Sequence, residues 1–93
     1  AALAIEVTGT PPAGAVSIEQ IQETAEEMGV TVQSVEYVFM EGENLMRVDA
    51  LDESGETLIA LLDPQTGEIS AMIDPVTGKV LEEDEYEVEE VED

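Results

Sequence analysis

Carboxylates are the one kind of chemistry this sequence holds in quantity. Its 93 residues include 24 Asp and Glu against two basic residues, Arg47 and Lys79, with no histidine, for a formal net charge of −22. On loops such carboxylates are hard oxygen donors of the kind calcium takes. Asp63, Glu68 and Asp74 are the best placed, each beside a turn proline or glycine. None has EF-hand spacing, so the expectation is Ca2+ on these loops, with the 82–85 carboxylates, or diffuse binding of counter-cations. No other cofactor is called for.

Catalysis has little else to draw on. There is no cysteine, hence no thiolate nucleophile, zinc–thiolate site or disulfide framework. Ser17, Ser34, Ser54 and Ser70 have no histidine to activate them, and the only lysine follows a turn glycine. Acidic pairs are so common that none stands out as a glycosidase couple. The glycines mark turns and form no phosphate-binding loop. The sequence reads as a non-enzyme.

The same charge restricts partners. A chain this acidic repels phosphate backbones and anionic lipid, so neither nucleic acid nor a membrane surface is expected. Basic partners and cations are favoured instead. No apolar run reaches the roughly 18–20 residues of a membrane span. The chain opens Ala1-Ala2, small residues of the sort that follow signal-peptide cleavage, so an exported protein at the cell surface or beyond is expected.

The elements that position these carboxylates centre on a turn written twice. Leu61-Leu62-Asp63-Pro64-Gln65-Thr66-Gly67-Glu68-Ile69 returns eleven residues later as Met72-Ile73-Asp74-Pro75-Val76-Thr77-Gly78-Lys79-Val80. In each, Asp accepts from a backbone N–H two residues on, Pro presets φ, and Gly supplies the positive-φ position. Two such turns imply a three-stranded meander of about 57–62, 68–73 and 79–84.

Ahead of it, Val16 to Gly29 reads as a helix. Ser17 and Gln20 form a capping box, Val16 and Ile21 a hydrophobic staple, and Gly29 a C′ residue. Ile18, Ile21, Ala25 and Met28 form an apolar stripe opposite the glutamates. Val30–Met40 and Leu45–Leu51 read as strands, joined by Glu41-Gly42-Glu43-Asn44. Thr57–Leu62 is apolar on both faces, the mark of a strand covered on both sides. One helix covers one side only.

At the N-terminus Leu3, Ile5 and Val7 alternate with Ala4, Glu6 and Thr8, a strand period. Residues 9–15 follow as a Pro/Gly linker. Residues 82–93 hold nine acidic residues, with Tyr86 and Val88 alternating among them. There is no N-glycosylation sequon; Thr8 and Thr10, beside Pro11-Pro12, are the candidates for O-linked sugar.

The order of these elements resembles the PepSY domain. The matching stretches are Ile18-Glu19-Gln20-Ile21 with Ala25, Val35-Glu36-Tyr37-Val38, Arg47-Val48-Asp49-Ala50-Leu51, Gly55, and Leu62-Asp63-Pro64-Gln65-Thr66-Gly67-Glu68-Ile69, together covering about 17–73. The last looks like the family's Asp-x-x-Thr-Gly-Glu-Val ending. The resemblance implies a non-enzymatic helix-on-sheet module, with peptidase inhibition or chaperoning in some members. The second Asp-Pro-x-Thr-Gly turn and the leading strand depart from that pattern.

The reading is α+β: one amphipathic helix on an antiparallel meander of about five strands, with a detached N-terminal strand. The chain divides into that strand (1–8), the linker (9–15), the PepSY-like domain (16–84) and an acidic tail (85–93). The expected function is an extracellular structural subunit that forms filaments by strand donation. Leu3, Ile5 and Val7 would enter a groove built on Leu58, Ala60 and Leu62 of the next copy. The alternative is a monomeric PepSY-like module that binds or inhibits, with a peptidase or another basic protein as its partner.

Overall fold

A computed structural model of the chain describes residues 5–81. Leu3 and the acidic tail lie outside the described residues. The elements are β1 (Glu6–Thr8), α1 (Ile18–Glu27), β2 (Thr31–Met40), β3 (Glu43–Leu51), β4 (Thr57–Leu62), β5 (Ile69–Ile73) and β6 (Val80–Leu81). The strands form one six-stranded sheet in chain order. From β2 to β6 it is an antiparallel meander. The class is α+β, as expected.

The N-terminal strand is not detached. Glu6, Val7 and Thr8 pair in parallel with Ser34, Val35 and Glu36, which makes six strands where about five were expected. A lone strand leaves its N–H and C=O groups unpaired by protein, and the β2 edge supplies partners. A parallel pair requires a crossover connection. The linker and α1 together are that crossover, so one stretch of chain both joins β1 to β2 and covers the sheet.

Local chemistry sets the ends of α1. The Ser17 hydroxyl accepts from the Gln20 N–H at 3.1 Å. At the other end the Gly29 N–H donates to Glu26 O and the Val30 N–H to Ala25 O, the Schellman pattern, with Gly29 at φ +80°. Ile21 and Ala25 are buried, and Ile18 packs beside them. Met28, read as part of the same stripe, is 59% exposed.

Two bulges decide which residues face α1. Between Val32 and Ser34 the register shifts, so Val32 pairs with Ala50 while Val35 pairs with Val48. An unbroken strand would send Val32 and Val35 to opposite faces; the bulge puts both in the core with Ile21, Ala25, Met46 and Leu62. A second shift between Leu61 and Leu62 pairs Leu62 with Ile69 and Ala60 with Met72. Val35 and Met46, neighbours on the central strands, are 0% exposed. On the opposite face Ile59 and Leu61 are also buried.

The β2–β3 turn is tighter than the sequence suggests. Met40 pairs with Glu43, leaving only Glu41 and Gly42 in the loop, at φ +50° and +80°. Positive φ at both positions is the type I′ pattern that matches strand twist. Glu43 and Asn44, expected in the turn, belong to β3.

Candidate binding groove

The repeated turns fold alike. In the first, Asp63 Oδ1 accepts from the Gln65 N–H at 2.9 Å, and Thr66 Oγ1 accepts from the Glu68 N–H at 3.1 Å. In the second, Asp74 Oδ1 accepts from the Val76 N–H at 2.9 Å, and Thr77 Oγ1 accepts from the Lys79 N–H at 3.2 Å. Both aspartates are thus spent on fixing their own turns. The turns stand at opposite ends of β5, about 15 Å apart at the rise of a strand. Glu68 stays with Asp63, whose backbone N–H donates to the Glu68 carbonyl, but Asp74 does not join them. Among the described residues no three acidic side chains come within reach of one metal ion.

The other polar groups also serve local structure. Asp52 Oδ1 accepts from the Ser54 and Glu56 N–H groups and from the Ser54 hydroxyl. These bonds, the Glu56 N–H first, hold its pKa below the ordinary value. Arg47 donates through Nε and Nη2 to the two oxygens of Asp49, at 3.0 and 3.3 Å. That bond and the charges of Asp49 and Glu36 raise its pKa, against the effect of burial. Arg47 lies beside Leu61 in the register, on the sheet face away from α1.

The proposed assembly residues fall in two places. Ile5 packs against the chain's own core, and Val7 on β1 is 46% exposed. Leu58, Ala60 and Leu62 sit on β4, three strand spacings or ~14 Å from β1. Thr8 and Thr10 are exposed.

Those β4 residues floor a groove. α1 packs over β2, and its inner side chains reach Leu62 of β4; towards β5 the same face stays open, with Met28 59% and Ile69 47% exposed. Between α1 and β5 runs a cleft of about 100 Å³. Thr24 and Met28 form its helix wall, Ala50, Leu58 and Ala60 its floor, and Ile69 and Met72 the far wall. Thr24 is the one polar side chain among the described residues that line it. Of the floor, Leu58 and Ala60 are among the residues expected to line a groove, and Ala50 is not. The helix stripe implies core for Met28, which instead forms a wall, and Ile69 reaches this face only through the bulge.

The Met28 end of the groove is acidic. No basic residue lies in the last turn of α1, where the helix dipole is negative. The Glu53 side chain lies against Gly29, where a Cβ would come 2.6 Å from Oε2. Among the described residues no helix is long and apolar enough to cross a membrane.

No protein-family model matches this chain, and no curated protein or solved structure matches it either.

Proposed function

We propose that the chain is a non-enzymatic polypeptide-binding module that closes its own sheet with its N-terminal strand. The observation that carries the reading is the parallel pairing of β1 with β2. The linker adds support. It turns through the Ala15 N–H to Pro12 O bond, and the Val16 N–H donates to Pro64 O at 2.7 Å. Gln65 Nε2 donates to Ala13 O at 2.8 Å. A linker held at these points is no free tether. A helix ahead of an antiparallel meander is also the arrangement that the PepSY resemblance implies, and binding without catalysis goes with it.

Strand donation is the second reading, and one observation favours it. β1 joins the sheet through three residues only, all exposed, so a neighbour's strand could take the same edge. In that reading the subunit is extracellular, and Thr8 and Thr10 are open to glycans.

Size-exclusion chromatography and electron microscopy of the full chain, beside a form lacking residues 1–8, separate the two. The module reading expects monomers throughout. Filaments of the full chain that vanish on truncation would replace it with donation.

A further inference from the structure

We propose that the groove between α1 and β5 takes an apolar side chain from a cationic polypeptide segment, whose basic residues lie against the acidic Met28 end of the groove. This rests on the module reading above and adds the site and the partner's chemistry.

Size selects the class of guest. A cavity of about 150 Å³ takes a ligand the size of benzene, and small-molecule sites run to about 300 Å³ or more. A cleft of about 100 Å³ suits one aliphatic side chain presented by a polypeptide. Its walls are adaptable: Met28 and Met72 are unbranched, polarizable thioethers that repack around differing guests. Met28 is 59% exposed, and an apolar guest would remove that surface from water.

Charge selects the partner. Glu53 and the carbonyl end of α1 stand at the Met28 end. Of the two basic residues, Arg47 is bound to Asp49 on the other face and Lys79 belongs to the second turn. Nothing cationic lines the groove among the described residues. A second copy would bring another −22 charges, and so is disfavoured as occupant. The chain's own acidic end carries the same sign. A segment with lysine or arginine around an apolar residue satisfies both features at once.

The test titrates the full chain with a fluorescently labelled peptide carrying leucines along one face and lysines along the other. Two control peptides replace the leucines by serine or the lysines by glutamate. The expected result is one peptide per chain, with affinity falling as salt rises. Thr24→Trp, which fills the groove from an exposed helix position, and Glu53→Lys should each weaken binding roughly tenfold. The serine control should bind weakly and ignore Thr24→Trp. Equal affinity for parent and Thr24→Trp, or equal binding of the glutamate control, would overturn the proposal.

Methyl NMR of the unaltered protein gives a reading independent of any variant's folding. Met28 and Met72 should shift on titration while Met40, on β2, stays still; unmoved Met28 and Met72 would also overturn it. Sizing the same samples separates the two failures. A monomer that ignores the peptide loses the groove assignment alone, whereas filaments of the parent chain remove the module reading beneath it.

Discussion

The backbone N–H of Val16 donates to the carbonyl of Pro64 at 2.7 Å, so the residue entering α1 is held by the first of two nearly identical turns. Gln65 of that turn donates to Ala13, and a Cβ on Gly67 would come 3.7 Å from Ile21 and 3.8 Å from Val16. Among the described residues the second turn has no such role. Val76 is 89% exposed, and a Cβ on Gly78 would meet none of them within 4 Å. One sequence pattern therefore does two jobs, set by what lies above it.

Gln65→Ala should cost about 1 kcal/mol, the usual net worth of one hydrogen bond. Val76→Ala at the matching position should cost close to nothing. Urea unfolding of both variants checks the difference. Amide exchange should quicken at Ala15 and Val16 in the first variant only.

Gly9 marks where β1 meets the sheet. It sits at φ +88°, and a Cβ there would come 2.7 Å from the Tyr37 carbonyl oxygen. Gly9→Ala therefore carries a left-handed strain of roughly 1–2 kcal/mol together with a backbone clash. The expected response is release of β1: amide protection falls at Val7, while β3 and β4 keep theirs. Unchanged protection at Val7 would contradict the seating of β1 on β2.

Much of this architecture is legible in the sequence because it is set locally. The caps of α1 and the repeated turns each depend on residue types a few positions apart, and they fold as their spacing implies. That Asp63 and Asp74 stand at opposite ends of β5 also follows from sequence, since successive turns of a meander alternate ends. The bulges do not. Each is settled by which apolar residues can reach the core, so Val32 and Val35 share a face only once α1 is in place. The partner of β1 was hidden for a related reason. Strand, linker, helix and strand in that order is a parallel crossover, but the short strand and Pro-rich linker read equally well as a detachable arm. The groove depends on which strands α1 leaves uncovered, and that is a tertiary fact.

Glu41 occupies the first loop position of the β2–β3 hairpin at φ +50°, where Asn is preferred and a longer side chain is strained. It also stands two residues from Glu43 in a chain of net charge −22. Glu41→Asn should relieve both effects and stabilise the fold by about 0.5–1 kcal/mol. A higher urea midpoint with unchanged slope would register it. A lower midpoint would argue against the two-residue turn.

Asp52 gives the fold a defined acid dependence. Its depressed pKa means that the folded state favours the carboxylate more than the unfolded chain does. The resulting stability is fully present above the unfolded value of about 4 and is lost as pH falls through the lower folded value. The parent chain alone would conceal this, because 24 acidic residues shed mutual repulsion as they protonate over the same range. The difference between parent and Asp52→Asn isolates it, since both share that background. The variant should be less stable at neutral pH, having lost a charged acceptor for the Glu56 and Ser54 donors. The gap should narrow steadily below about pH 4. Paired urea titrations across that range measure it, and a gap independent of pH would mean that the Asp52 charge contributes nothing to the turn.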